Sequence, residues 1–283
     1  MQREPYVLSY VHAAPLLAAR EAGETTTVTS LDLGLKTSEV ALEAGRVVLP
    51  GDQWLSWDDV AEVAGNDSVC YLVRDNAVEK MQYFSDVRNL IYVLMPTKRA
   101  PTVLISGIQM HRVKDIDPWG DTLEKLRTVA PVEGRVLDTC TGLGYTAIAA
   151  ADKADEVVTV ELDPNMLDMA RRNPWSRPLF HHPRIRQIVG DSFEEVQALE
   201  EGSFSRIVHD PPMLSLAGDL YSGEYYRYLH RLLARRGRLY HYIGDPDSRS
   251  GRNIMRSVTR RLHDVGFRRV MVRPRAFGLV AYK

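Results

Sequence analysis

The segment Val136-Leu137-Asp138-Thr139-Cys140-Thr141-Gly142-Leu143-Gly144-Tyr145-Thr146 constrains this chain more than any other. An apolar run ends in an aspartate, passes through a turn with two glycines, and enters a helix-forming run. Glycine lets a backbone adopt positive φ and approach a ligand closely. The helix start that follows offers N–H groups with no partner inside the helix. Such a unit belongs at the carboxyl edge of a parallel sheet, where open α/β folds bind ligands.

The residues around it fit that setting. Strand candidates are RVLDTC, EVVTVEL, IRQIVG, FSRIVHD, GRLYHYIG, FRRVMVRP and LVAYK. Helices fit between them at Asp121–Val129, Tyr145–Asp152, Pro164–Arg172, Phe193–Leu199, Gly223–Ala234 and Asn253–Val265. Alternation of this kind predicts an α/β fold, with a Rossmann-like, mostly parallel sheet and helices on both faces. The last two strands have no helix between them and predict a C-terminal antiparallel hairpin. Residues 113–283 form this domain in the reading.

Residues 1–112 read differently. A helix is expected over residues 5–22, ended by Gly23 and interrupted at Pro15. Short runs follow, TTTVTSLDLGL, SEVALEA, RVVL, VCYLV, AVEKMQYF, LIYVLM and TVLIS, which alternate apolar and polar positions or read as short apolar strands. Ser56-Trp57-Asp58-Asp59 fits a capping box at a helix start. A small β-rich domain is the expectation.

Composition excludes several classes. No apolar run approaches the roughly 18 residues that span a bilayer, so no membrane partner is expected. Cys70 and Cys140 are the only cysteines, too few for a disulfide framework. With no signal-peptide pattern at the start, a cytoplasmic location is expected. No Cys/His cluster has zinc-ligand spacing, and His181-His182 reads as loop, so no metal is expected. Net charge is −1, yet from Arg227 onward fourteen arginines and one lysine face three aspartates. That asymmetry fits either an anionic partner such as RNA or the solvated faces of late helices.

Four short motifs carry the chemistry. Asp138 ends the first strand of the alternating part. Glu161 ends the second, 17 residues after Gly144, where an acidic side chain suits the two hydroxyls of a ribose. Asp163 next to it suits a helix cap before Pro164. Gly190-Asp191-Ser192 ends the third strand, and Asp191 suits either an adenine amino group or a helix cap. His209-Asp210-Pro211-Pro212-Met213 ends the fourth, and consecutive prolines cannot continue a central strand. A dinucleotide site fits poorly. Ala147 takes the place of the last glycine of G-x-G-x-x-G, and Asp138 would repel a pyrophosphate.

In order and spacing, residues 115–283 resemble the class I S-adenosylmethionine-dependent methyltransferases. DTCTGLG looks like their D-x-G-x-G-x-G loop, and ELD like their second-strand acidic motif. GDS looks like their adenine-side motif, and DPPM like their D-P-P-aromatic motif. The stretch HDPPMLSLAGDLYSGEYYRYLHRLL with GRLYHYIGDP is similar to predicted archaeal-type methyltransferases. The resemblance implies S-adenosyl-L-methionine as cofactor. It places Asp138, Cys140, Thr141, Gly142 and Gly144 at its methionine part, Glu161 at the ribose and Asp191 by the adenine. Asp210, Pro211 and Pro212 would line the transfer site, with His209 as a candidate base. His209 is one strand position earlier than Asp210, so it can also point to the other side. Cys140 replaces the first glycine of the loop, and Met213 replaces the aromatic residue.

The implied reaction is methyl transfer to an acceptor the sequence does not name, among them an amine or nucleobase nitrogen. Met110, His111, Arg112, Trp119, Tyr221, Tyr225 and Tyr226 are further candidates for acceptor contacts. Tyr225 and Tyr226 cannot share one helix face, so at least one is expected in the core or on the surface. Two alternatives stand. One is an aminopropyl transferase of the spermidine-synthase type, whose usual G-G-G-D-G loop is acidic where this one is TCTGLG. The other is a non-catalytic cofactor-binding scaffold. Arg252, Arg256 and Arg260 are spaced to form one stripe on the Asn253–Val265 helix, facing solvent and preceded by Arg249.

Overall fold

The computed structural model describes residues 5–85 and 89–283. They divide into two compact units. The first runs up to Trp119 and also takes Asp168–Arg177, and the second comprises Gly120–Leu167 and Pro178–Lys283. The boundary thus falls seven residues later than the sequence reading placed it, and a later segment joins the first unit. That segment is tied in by Trp175. Its indole N–H donates to the Leu33 carbonyl at 3.0 Å, and its ring lies 5.9 Å from that of Trp119. Arg99 stacks over it at 5.7 Å.

The first unit is β-rich. Thr26–Thr29, Ser38–Leu42, Arg46–Leu49 and Gln53–Ser56 form an antiparallel sheet, and Gln82–Ser85, Leu90–Met95, Thr102–Ile105 and Ile108–Gln109 form another. A third sheet joins Tyr6–Leu8, Tyr71–Arg74 and Ala77–Lys80. The first expected helix is shorter than read. Tyr6–Leu8 is a strand, and the helix covers Tyr10–Glu21, continuing through Pro15. The run AVEKMQYF splits at buried Met81 into two strands belonging to different sheets. The capping box forms as expected: Ser56 Oγ accepts from the Asp59 amide at 3.1 Å, and Trp57–Ala64 is helical. Leu16, Val47, Leu55, Trp57, Val60 and Tyr71 are among its buried core.

The second unit carries a seven-stranded sheet, whose strands are numbered here β1 (Arg135–Asp138), β2 (Glu156–Glu161), β3 (Ile185–Val189), β4 (Phe204–His209), β5 (Leu233–Tyr242), β6 (Arg269–Arg273) and β7 (Gly278–Tyr282). Their order is β3-β2-β1-β4-β5-β7-β6. The first five are parallel, and β7 runs antiparallel to both its neighbours. The expected hairpin is present, with β7 inserted between β5 and β6. Strand β1 is central and buried throughout its apolar length, as a strand covered on both faces must be. The order reverses at β1 and β4, so their carboxyl ends open a crevice where ligands of such sheets bind. Asp138 and Asp210 stand at those two ends.

Among the helices, Gly223–Leu232 buries both Tyr225 and Tyr226. They point to different partners, Tyr225 Oη to Ser192 Oγ at 2.7 Å and Tyr226 Oη to His241 Nε2 at 2.8 Å. Both are therefore core residues rather than acceptor contacts. The Arg-rich helix begins earlier than read, at Arg249, capped by Ser248 Oγ, which accepts from the Gly251 amide at 2.9 Å. No helix among the described residues is long and apolar enough to cross a membrane.

Candidate active site at the carboxyl ends of β1, β2 and β4

Asp138 is fully buried. Its Oδ2 accepts from Thr159 Oγ1 at 2.9 Å, and Thr159 in turn meets Thr141 Oγ1 at 2.6 Å. Its Oδ1 is buried with no hydrogen-bond partner among the described residues. Burial pushes the Asp138 pKa up to about 8. The Thr159 hydroxyl and the Cys140 backbone amide oppose this, and Asp210 adds like-charge repulsion. An orphaned carboxylate oxygen inside a protein costs free energy unless a ligand partner meets it.

The loop beyond Asp138 has two left-handed glycines, Gly142 at φ 54° and Gly144 at φ 79°. They differ in what surrounds them. A Cβ on Gly144 would lie 2.6 Å from Leu179 Cδ2, whereas one on Gly142 meets nothing within 4 Å. Gly144 thus serves packing and Gly142 faces open space. The Gly142 amide donates to Glu161 Oε2 at 2.8 Å, and the Asp163 amide to Glu161 Oε1 at 3.0 Å. Even so, burial raises the Glu161 pKa to about 7. Cys140 is partly buried, and its thiol is pushed well above the ordinary value, chiefly by burial.

Asp163 accepts from the Asn165 amide at 2.9 Å and caps the helix at Pro164. Asp191 is exposed and caps a helix turn, its Oδ1 accepting from the Phe193 amide at 2.8 Å. His209 is corrected by the structure. Its ring is wholly buried in an aromatic cluster with Tyr221, Tyr225, Tyr226 and His241. Nδ1 meets Thr139 Oγ1 at 2.7 Å, Nε2 meets the Leu220 carbonyl at 2.9 Å, and the His241 ring lies at 4.4 Å. Burial lowers its pKa to about 3. The Leu220 carbonyl calls for the proton on Nε2, which leaves Nδ1 to receive the Thr139 hydroxyl, so both ring nitrogens are engaged inside the core. His209 is the last residue of β4 and packs into the core, whereas Asp210 lies beyond the end of the strand.

Lys125, not singled out by the sequence reading, is the unexpected member. It lies on the helix Pro118–Thr128, 1% exposed. Its Nζ is 2.6 Å from Asp210 Oδ2 and 2.9 Å from Asp121 Oδ2, and 4.9 Å from the Tyr242 ring centre. Burial works against its charge, yet the two carboxylates hold its pKa above the ordinary lysine value. The only signal for it in the sequence is the Asp121–Lys125 spacing of four, which usually marks an exposed helix pair.

Tyr221 anchors the loop after Asp210 from beneath, its Oη donating to the Pro212 carbonyl at 3.1 Å. Beyond it, Met213, Leu214 and Leu216 are exposed. A cavity of about 240 Å³ lies between this loop and the Arg-rich helix, lined by Leu214, Tyr221, Ser222, Ile254, Val258 and Arg261, among others.

The sheet order, the glycine loop and the two strand-end acids make a Rossmann-like α/β fold that solved spermidine synthases share. A spermidine synthase bound to the transition-state analogue AdoDATO superposes with a TM-score of 0.57 at 18% identity, over 71% of each chain. The spermidine synthase of Thermotoga maritima gives 0.54 at 18% identity, over 74% of this chain and 75% of that one. MNMC2 of Aquifex aeolicus gives 0.51 at 15% identity, over 67% and 70%. No family model matches the sequence. A stretch of 231 residues, 81% of the chain, is 41% identical to the uncharacterized protein MJ1233 of Methanocaldococcus jannaschii and spans 78% of it. The chain belongs to the family of that protein. Over 114 residues, 38% of the chain, it is also 32% identical to polyamine aminopropyltransferase 2 of Streptomyces coelicolor, spanning 21% of that protein.

Proposed function

We propose that this protein transfers a methyl group from S-adenosyl-L-methionine to a nitrogen acceptor held at the Asp210-Pro211-Pro212 loop. The observation that carries the donor is Asp138. Its carboxyl is buried, has no partner at Oδ1 among the described residues and stands near Gly142, which fronts open space. A cationic donor with an ammonium group relieves both the orphaned oxygen and the repulsion from Asp210. Glu161, already oriented by two amides, suits the ribose hydroxyls, and the open Gly142 backbone suits the methionine end, with Cys140, Thr141 and Gly144 in the same loop. Asp191, exposed beyond the end of β3, suits the adenine amino group.

When bound, the sulfonium supplies an electrophilic carbon attached to a good, neutral leaving group. The chain's part is to position the acceptor and to exclude water. Asp210 and the carbonyls of the proline loop hold the acceptor N–H and stabilise the positive charge that develops on nitrogen. Pro211 and Pro212 keep that loop rigid. Lys125 fixes the Asp210 carboxylate from behind. The carbon–sulfur bond of the donor breaks as the carbon–nitrogen bond forms, and the methylated nitrogen then loses its proton to solvent, with no part assigned to His209.

Two features favour methyl over aminopropyl transfer. The loop from Thr139 to Gly144 has no acidic residue, and Asp210 is already engaged by Lys125. The site is therefore less anionic than a dicationic donor and a polyamine acceptor require. The aminopropyl reading stands second, supported by the 32% identity to a polyamine aminopropyltransferase. The nucleoside product separates them. With cell extract fractions (tRNA, rRNA, protein and small molecules) as acceptors, methyl transfer releases S-adenosylhomocysteine and labels one fraction from methyl-labelled donor. Release of methylthioadenosine from decarboxylated donor and a polyamine, with no methyl label in any fraction, contradicts the methyl reading.

A further inference from the structure

We propose that Lys125 determines which donor the site accepts, favouring one that keeps its amino-acid carboxylate over the decarboxylated form. The inference rests on the reading of the site as one for an adenosyl sulfonium donor. The geometry is a buried ammonium shared between two carboxylates, 2.6 Å from Asp210 and 2.9 Å from Asp121. Asp210 follows the end of β4, and β1 pairs directly with β4 through Asp138 and Val208. Asp210 also acts electrostatically on Asp138. The amino-acid end of a donor held at Asp138 therefore lies within reach of the field of the Lys125 cluster.

The charge arithmetic fixes the sign. Asp121, Lys125 and Asp210 together carry one net negative charge. A neutral side chain at position 125 leaves two, inside a region where charges are weakly screened. The added negative potential penalises the donor carboxylate and favours a donor that has only the ammonium. Removing the charge of Asp121 changes the potential in the opposite sense. A residue with only a packing role would weaken both donors alike.

The test is calorimetric titration of the full-length protein with S-adenosylmethionine and with its decarboxylated form. Wild type should bind S-adenosylmethionine more tightly. Lys125→Met should shift the ratio of the two Kd values about tenfold or more toward the decarboxylated donor, the scale of one unit charge acting over several ångströms at intermediate dielectric. Lys125→Arg should keep the wild-type ratio. Asp121→Asn should move the ratio the other way by a smaller factor, and it carries the test alone if Lys125→Met does not fold. Equal weakening of both donors in the variants overturns the role of Lys125 while leaving the donor reading intact. Failure of wild type to bind either donor overturns both.

Discussion

The Gly142 amide donates to Glu161 Oε2 at 2.8 Å, so the end of β2 holds the glycine loop that leaves β1. Loop and acid form one preorganised unit before any ligand arrives. Glu161→Ala removes both that tether and the proposed ribose contact. It should weaken S-adenosylhomocysteine by about 1–3 kcal/mol, the scale for hydrogen bonds to a charged group. Calorimetry showing unchanged affinity would remove Glu161 from the site.

The two glycines should respond differently to substitution. An L-residue in the left-handed region costs roughly 1–2 kcal/mol. Gly142→Ala should cost about that much, since its Cβ meets nothing within 4 Å. Gly144→Ala adds a collision with Leu179 and should be the more destabilising of the two. Chemical denaturation of both variants checks the order, and equal losses would show that Leu179 moves aside freely.

Stability should depend on pH through Asp138 and Glu161. Their pKa values are raised to about 8 and about 7 in the folded protein. The unfolded chain titrates them at roughly 4. The folded protein thus holds the protons more tightly. Their contribution is complete below roughly pH 4, falls as pH rises, and is gone above about pH 8. Binding an ammonium group to Asp138 requires its anion, so donor binding near pH 6.5 should release protons. Titrations in buffers of different ionisation enthalpy measure that release, which Asp138→Asn should reduce. Heats independent of buffer would contradict it.

Much of this site was legible in the sequence because its parts are local. Asp138, the two glycines and Glu161 sit at strand ends and turns, where residue type and position decide the geometry. Lys125 was not legible, because its partner Asp210 is 85 residues away and its helix spacing to Asp121 looks like a surface pair. The orientation of His209 depended on which side of β4 faces the crevice, which alternation alone leaves open. The strand break at Met81 was hidden because two strands of different sheets adjoin without a turn residue.

The arginine stripe gives a separate prediction. Arg252, Arg256 and Arg260 are all exposed on the Arg249–Asp264 helix, and Ile254, Val258 and Leu262 lie on its packed side. If these arginines track phosphates of an RNA acceptor, changing all three to Glu should abolish RNA retention at about 50 mM salt. S-adenosylhomocysteine affinity should be unchanged. No retention by the wild-type protein at that salt would set RNA aside in favour of a protein or small-molecule acceptor.

Asp210 and Asp138 should separate in function. Asp210→Ala should lower methyl incorporation into the labelled fraction far more than donor affinity if, as proposed, Asp210 acts at the acceptor. The most direct measurement is calorimetric titration of S-adenosylhomocysteine into wild type and Asp138→Ala at pH 8. Wild type should bind with micromolar affinity, near −8 kcal/mol, and Asp138→Ala should lose most of it while remaining folded. Wild-type affinity in a folded Asp138→Ala protein would contradict a donor site built on this buried carboxylate.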